Sequence, residues 1–377
     1  MAAGVKGIAI LGSTGSIGRQ ALEVVRRFPE RFRVVGLSAR SNLALLSRQV
    51  EEFCPAVVAA EELAGDGAGA RNPLASRATV LELVAHPDAE LVVMAIPGAA
   101  ALVPVLHALQ LRKRVALASK EAVVIGGALV AREVAAGAEL LPVDSEASAI
   151  WQCLRGEERD VARLILTASG GPLRSRPVEE LDRVTPQEAL RHPTWRMGEK
   201  VTVDSATLMN KAFEVMEAHW LFGVPWERIE VVVHPQSIVH SLVEFQDGSV
   251  KAQLAYPDMR LPLQYALFYP QRGQGQFTER LDLVRVRRLT FEPLDPARYP
   301  AFALALEAAR AGGTYPAALN AADEVAVELF LGERIGFTDI LRLVRRVVDE
   351  HRPGSELSLE EILAADAWAR QRARELA

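Results

Sequence analysis

The residues best suited to chemistry in this 377-residue chain are acidic. Asp144 and Glu146 stand one residue apart in Leu141-Pro142-Val143-Asp144-Ser145-Glu146, at the end of an apolar run that reads as a strand. Side chains i and i+2 of an extended segment point the same way, so both carboxylates can converge on one cation. Pressed together without one, they would repel and raise one pKa. A bound Mg2+ or Mn2+, hard ions that prefer oxygen, removes that conflict. A third carboxylate, Glu214, lies four residues after Asn210 and three after Lys211 on an expected helix over 206–222, so one face carries all three. By spacing alone, a polar loop and a solvated helix face describe these patterns equally well. Lys120, in Ala118-Ser119-Lys120-Glu121, places a cation at another strand end. Ser169-Gly170-Gly171, after the apolar run 164–167, can offer a hydroxyl and backbone N–H groups to a phosphate. Trp195 is either an apolar cover for a site or a packing anchor.

A second chemistry sits at the N-terminus. The first strand ends in Gly12-Ser13-Thr14-Gly15-Ser16-Ile17-Gly18, and a helix follows at once. Glycines let the backbone turn sharply and approach a pyrophosphate, whose charge the free N–H groups and dipole of the helix N-terminus stabilise. The spacing is GxxGxxG, a weaker pattern than GxGxxG, and its place in a strand–turn–helix unit gives it weight. A dinucleotide with a free ribose 2′-hydroxyl calls for an acid after the second strand, yet no Asp or Glu occurs from Phe32 to Val50. Arg40, Ser41 and Asn42 stand there instead and suit a 2′-phosphate, which favours NADP over NAD; a solvated Arg40 is the alternative.

These residues need elements to position them. Apolar runs at 7–11, 32–37, 56–59, 91–96, 114–118 and 139–143 alternate with helix-like stretches, the pattern of an α/β fold with an N-terminal Rossmann-like parallel sheet. From 150 the pattern changes to a central α+β segment. Strands are expected at 164–167, 229–234, 238–245 and 250–256, the last two joined around Asp247-Gly248 in a hairpin. A polar stretch over 170–200 reads as a lid loop. The remainder reads as a C-terminal helical bundle, with Ser358-Leu359-Glu360-Glu361 in capping-box spacing. The expected domains are 1–149, a dinucleotide-binding domain; 150–290, a catalytic and connective domain; and 291–377, a helical domain. Residues 64–70 form a short Ala/Gly-rich loop.

Composition excludes several classes. A net charge of −5 gives no reason to expect nucleic acid or an anionic membrane as partner. Two cysteines, Cys54 and Cys153, build neither a disulfide framework nor a cysteine zinc site. The start of the chain lacks signal-peptide character and no apolar run spans a bilayer, so a cytoplasmic location is expected. Only six of the 43 basic residues are lysines, a skew that either keeps Lys for positions where a compact point charge is wanted or follows from genome base composition.

Longer motifs carry a resemblance. The runs Gly12–Gly18, Leu141–Glu146, Thr167-Ala168-Ser169-Gly170-Gly171-Pro172, His192-Pro193-Thr194-Trp195-Arg196-Met197-Gly198 and Val203-Asp204-Ser205-Ala206-Thr207-Leu208-Met209-Asn210-Lys211 resemble the 1-deoxy-D-xylulose 5-phosphate reductoisomerase family. So do His234-Pro235-Gln236-Ser237-Ile238-Val239-His240 and Asn320-Ala321-Ala322-Asp323-Glu324, and the likeness runs in order over essentially the whole chain. The resemblance implies a homodimer that converts a small sugar phosphate to 2-C-methyl-D-erythritol 4-phosphate in non-mevalonate isoprenoid synthesis, using NADPH and Mg2+ or Mn2+. It implies Asp144, Glu146 and Glu214 as metal ligands, and Ser169, Ser205, Asn210 and Lys211, with His192, around the substrate phosphate. Ser145, Glu146, Glu214 and Lys120 would face the reacting end, and Trp195 would cover it. Thr14, Gly15, Ser16, Ile17, Asn42, Glu121 and Gly198 would contact NADPH, with Arg40, Ser41 and Ser119, which depart from the family pattern, as further candidates for the same cofactor. The implied chemistry is a metal-assisted rearrangement, retro-aldol or concerted, followed by hydride transfer to an aldehyde.

Three positions depart from the family pattern. Arg40-Ser41-Asn42 replaces the usual Gly-Lys-Asn, Ser119 replaces Asn, and Ala147 stands where some members have His. Two other readings compete. One is a different NADP-dependent dehydrogenase of a small phosphorylated aldehyde; an acylating version would need a nucleophilic cysteine, and Cys153 reads as core. The other is a catalytically silent NADP-binding protein.

Overall fold

The computed structural model describes residues 4–60, 79–157, 160–354 and 357–377; the Ala/Gly-rich stretch 64–70 lies outside them. Its first half alternates strand and helix: β1 (Lys6–Leu11), α1 (Ser16–Arg27), β2 (Phe32–Ala39), α2 (Leu43–Phe53), β3 (Val57–Ala60), α3 (Val80–Ala85), β4 (Leu91–Met94), α4 (Leu102–Gln110), β5 (Arg114–Leu117), α5 (Glu121–Ala135), β6 (Leu140–Pro142) and α6 (Ser145–Leu154). The six strands form one sheet in the order β3-β2-β1-β4-β5-β6, and every pairing is parallel. Their near-continuous apolar sequence is the reason: Ile8, Ile10, Leu91, Val93, Val115 and Leu117 are fully buried, as strands covered on both faces must be. Chain direction across the sheet reverses between β1 and β4, and ligands bind outside the carboxyl ends of strands at such a switch point.

The second half continues with β7 (Val161–Ala168), α7 (Pro186–Ala189), α8 (Glu199–Thr207), α9 (Met209–Phe222), β8 (Ile229–Val233), β9 (Val239–Phe245), β10 (Val250–Leu254), α10 (Arg260–Phe268), α11 (Leu283–Val286), β11 (Glu292–Pro293), α12 (Pro300–Ala311), α13 (Tyr315–Leu331), α14 (Phe337–Glu350) and α15 (Leu359–Leu376). A mixed sheet runs β10-β9-β7-β8-β11, with β7 and β8 parallel and the other neighbours antiparallel. The expected hairpin is present: Gly248 turns at φ +82°, and Asp247 Oδ1 accepts from the Ser249 N–H. Cys153 packs in the core of this half with Leu164, Leu166, Val215 and Phe245. Among the described residues, no helix is long and apolar enough to cross a membrane.

Contacts divide the chain into two compact units. One comprises Met1–Ser119, Val130–Ser148 and Asp258–Glu279; the other comprises Lys120–Leu129, Ala149–Pro257 and Arg280–Ala377. Helix α10 therefore belongs with the parallel sheet. Its Phe268 ring meets Phe28 and Phe32 edge-on, at centroid distances of 4.9 and 4.8 Å.

Three local expectations need correction. Asp144 and Glu146 are not on an extended strand end. Strand β6 stops at Pro142, and the Asp144 carbonyl accepts from Ser148 N–H at 2.8 Å, so Asp144 sits at the N-cap of α6 and Glu146 in its first turn. Acids are favoured there by the helix dipole, and Ala147 and Ala149 propagate the helix. The polar stretch 170–200 is not one loop: it holds a 3-10 turn at Val178–Arg183 and α7, with Thr185 and Glu188 in a reciprocal capping box, and α8 begins before it ends. The helix expected over 206–222 is two helices, broken at Leu208, which sits at φ 58°, ψ 17°. A leucine does not choose that left-handed conformation; burial among Ala168 and Tyr299 imposes it.

Candidate active site

Within the parallel-sheet unit, the turn after β1 is shaped for a phosphate. Gly12 has φ +81°, and a Cβ on it would lie 2.4 Å from the Ala95 carbonyl oxygen, so only glycine fits. Its N–H donates to Ser38, and Ser13 Oγ donates to Gln49 Oε1 at 2.7 Å, which ties the turn to the end of β2 and to α2. Gly15 caps α1 without any side-chain bond to the helix, leaving the first N–H groups, beside Thr14, Ser16 and Ile17, for an external anion. Arg40, Ser41 and Asn42 are exposed beyond β2, and Asn42 Oδ1 also caps α2 by accepting from Leu45 N–H. Ser119 is buried, and its hydroxyl donates to the Met94 carbonyl at 3.3 Å. In the same unit, Asp144 and Glu146 are half-buried at the start of α6, where Ser145 Oγ donates to a Glu146 oxygen.

The second unit gathers the remaining polar residues around the end of β7. Ser169 follows the last residue of β7, and its Oγ lies 3.0 Å from His192 Nε2. His192 Nδ1 accepts from the backbone N–H groups of Thr194 and Trp195, so its ring proton sits on Nε2 and points to Ser169. Burial lowers the His192 pKa to about 4, so the ring is neutral at pH 7. Gly171 carries φ +71°, and a Cβ there would lie 2.2 Å from the Ser205 carbonyl oxygen, so the Ser169 turn presses directly on α8. Trp195 is half-buried, its ring tilted against His240 at 5.9 Å.

Helix α9 supplies the charges. Lys211 and Glu214 are both buried, contrary to the solvated-face alternative. Lys211 Nζ donates to the Thr167 carbonyl and pairs with Glu214 Oε2. Glu214 Oε1 accepts from Lys120 Nζ at 2.9 Å and from Asn210 Nδ2. Lys120 and Lys211 thus hold one carboxylate from both sides, and the Lys211 ammonium lies against the Thr167 carbonyl, two residues before Ser169. Leu208 caps α9 without a side-chain bond, while Thr207 Oγ1 accepts from the Met209 N–H at 3.3 Å. Glu121 opens α5 and Gly198 caps α8 by backbone only.

Models of this family's three parts match the chain in order. The 1-deoxy-D-xylulose 5-phosphate reductoisomerase model matches residues 8–127, its C-terminal domain model 140–222, and the DXP reductoisomerase C-terminal domain model 254–372. The chain belongs to the 1-deoxy-D-xylulose 5-phosphate reductoisomerase family. The reductoisomerase of Thermomicrobium roseum is 53% identical over 376 residues, covering 98% of this chain and 97% of the relative. That of Chlorobaculum tepidum is 50% identical, covering 99% and 100%. Among solved structures, the reductoisomerase from Zymomonas mobilis in complex with NADPH is 38% identical, with a TM-score of 0.88 and 99% of each chain covered. A reductoisomerase in complex with NADPH, fosmidomycin and magnesium is 35% identical, with a TM-score of 0.90 and 98% of each covered. None of this favours an unrelated dehydrogenase or a silent NADP-binding protein.

The structure also shows polar residues that the sequence reading gave no role. Lys200, Asp204 and Asp323 meet in the second unit, Lys200 Nζ lying 2.5 Å from Asp204 and 2.8 Å from Asp323. The i, i+4 spacing of Lys200 and Asp204 was a visible signal; the partnership with Asp323, over a hundred residues on, was not.

Proposed function

We propose that this chain converts 1-deoxy-D-xylulose 5-phosphate into 2-C-methyl-D-erythritol 4-phosphate with NADPH and a divalent metal, Mg2+ or Mn2+. The observation that carries this reading is the cluster of buried Ser205, Lys211 and Glu214 with half-buried Ser169 and Asn210, in a chain of this family. Ser169, Ser205, Asn210 and Lys211 hold the substrate phosphate, and the neutral His192 keeps Ser169 Oγ oriented by donating from Nε2. Lys120 and Ser145 contact the reacting end of the sugar, and Trp195 excludes water from it. Asp144, Glu146 and Glu214 are the proposed metal ligands; an all-oxygen, all-carboxylate set fits a hard divalent ion. When bound, that ion supplies Lewis-acid polarisation of the substrate's carbonyl and hydroxyl oxygens. The glycine cradle at Gly12 and the uncapped N-terminus of α1 fit a pyrophosphate, with Thr14, Gly15, Ser16 and Ile17 against it. Arg40, Ser41 and Asn42 are exposed where a 2′-phosphate would be read, and Glu121 and Gly198 complete the proposed NADPH contacts. Ser119 keeps its hydroxyl on Met94, so its proposed contact runs through backbone.

In this reading residues 1–149 bind NADPH and contribute Asp144 and Glu146 to the metal, 150–290 form the catalytic and connective part with Glu214, the phosphate-binding residues and the lid, and 291–377 provide helical support. Isoprenoid synthesis as the pathway, homodimeric assembly and a cytoplasmic location belong to the same proposal, supported by family membership. The test is NADPH oxidation by purified protein with 1-deoxy-D-xylulose 5-phosphate, with metal and then with excess chelator. Turnover that requires both substrate and metal is expected. Metal-independent turnover, or none with NADPH bound, overturns the reading.

A further inference from the structure

Helix α8 has an unusual task for nine residues. The loop bearing His192 and Trp195 runs into its N-terminus at Gly198, and Ser205 sits near its other end, one turn before the break at Leu208. Its N-terminus has no side-chain cap, and Thr202, Val203, Asp204, Ser205 and Ala206 are buried. Something other than a cap must fix its position. The only lysine on it, Lys200, reaches Asp204 on the same helix and Asp323 on α13, while its ammonium lies 4.9 Å from the Phe213 ring of α9. Asp323 is fully buried and Asp204 nearly so, and Oδ1 of each has no hydrogen-bond partner.

Two buried carboxylates facing one ammonium group cannot both be ionised cheaply. Burial, and then Asp323, hold the Asp204 carboxyl well above the usual aspartate range. Burial lowers the Lys200 pKa, but Asp204 and Asp323, with Glu121 and Glu324 further off, more than offset that, so the ammonium stays charged. The result is a clamp in which two buried acids close on one ammonium group. Asn320 and Asp323 belong to the Asn320-Ala321-Ala322-Asp323-Glu324 run on α13, which the active-site reading leaves without a role. Glu324 in turn pairs with Arg370 of α15 at 2.6 Å, so the clamp is anchored to the helical bundle.

We propose that Lys200, clamped between Asp204 and Asp323, is a positioning residue that pins α8 to α13 and thereby sets Ser205 and the His192–Trp195 loop for the substrate phosphate. The inference rests on the functional reading above only for the identity of the ligand. The clamp acts on geometry, and a displacement of about 1 Å in a positioning group costs up to roughly a hundredfold in catalytic efficiency.

The test compares the full-length wild type with Lys200→Met, Lys200→Arg and Asp323→Asn. One readout is the split between KM for 1-deoxy-D-xylulose 5-phosphate and kcat. The other needs no substrate: the rate of tryptic cleavage after Arg191 and Arg196, both exposed on the loop. In Lys200→Met, KM is expected to rise about tenfold with kcat changed less than threefold. Loop cleavage should speed up while the cooperative melt persists, and Lys200→Arg should restore both readouts. Asp323→Asn keeps the Lys200–Asp204 pair and covers the case in which Lys200→Met does not fold; it should show the same KM rise in smaller degree. Unchanged KM and unchanged cleavage in the folded variants overturn the clamp. A wild type inactive on the sugar phosphate overturns the functional reading instead, and the cleavage arm still decides the clamp.

Discussion

Glu214 is a carboxylate with an ammonium group on each oxygen, Lys120 on one and Lys211 on the other, all three buried. Such a carboxylate is costly to bury without a charge partner, and Glu214 has one on each oxygen. Glu214→Gln removes the charge while keeping the shape. NADPH binding should persist, and metal-dependent turnover should fall by at least about a hundredfold, because a Lewis-acid ion contributes several kcal/mol. Titration calorimetry with NADPH beside steady-state assays checks both halves; full activity in this variant removes Glu214 from the ligand set. Lys211→Ala acts differently. Losing a charge-assisted partner of the phosphate should raise the substrate KM by about tenfold to a hundredfold, with a smaller effect on kcat. An unaltered KM returns Lys211 to a purely structural role beneath Thr167. Of the six lysines in the chain, Lys120, Lys200 and Lys211 all make ion pairs to buried acids in one unit, and no role for Lys200 was read from the sequence.

Secondary-structure elements set where such residues point, and here the turn Ser169–Gly171 is the sensitive joint. Gly171→Ala forces a Cβ against the Ser205 carbonyl in a left-handed backbone, so a loss of roughly 2 kcal/mol or more is expected. Urea unfolding measures it, and wild-type stability in that variant shows that the turn yields. His240 on β9, under Trp195, gives a pH prediction. Burial holds its pKa at about 4 against 6.5 when free, so it is neutral in the fold. Above pH 6.5 both states are neutral. Between 6.5 and 4 only the unfolded chain takes up the proton, so stability should fall by up to about 3 kcal/mol as pH drops through that window. His240→Gln should lack that component of the slope; parallel pH profiles for the two proteins refute it. The parallel strands and the glycine turn were legible because continuous apolar runs and Gly12 are local signals. The break at Leu208 was not, since leucine is a good helix former and the cause is packing on Ala168 and Tyr299. Asp144 and Glu146 were legible as a pair but placed on a strand, because the residues that cap a helix also end a strand.

At the scale of the molecule, chain order and compact unit part company. The chain crosses between its two units at Ser119, Leu129, Ser148, Pro257 and Glu279. No sequence signal near residue 258 announces that the next helix packs on strands laid down more than two hundred residues earlier. The bonds that hold it there are specific: Arg260 donates to Glu23 at 3.1 Å, Arg114 donates to the Tyr269 carbonyl at 3.1 Å, and Leu263, Ala266 and Leu267 are fully buried. Without α10, Phe28 and Phe32 lose the ring of Phe268, and each large apolar side chain uncovered costs about 1.5–3 kcal/mol. Residues 1–148 alone should therefore melt with little cooperativity and bind a hydrophobic dye. The same fragment joined by a flexible linker to 258–279 should melt cooperatively at a distinctly higher temperature. Both fragments lack the partner of residues 120–129, so the difference between them isolates α10. Equal melting of the two would mean that the parallel sheet completes its core without that helix, and that α10 is held by the sheet rather than holding it.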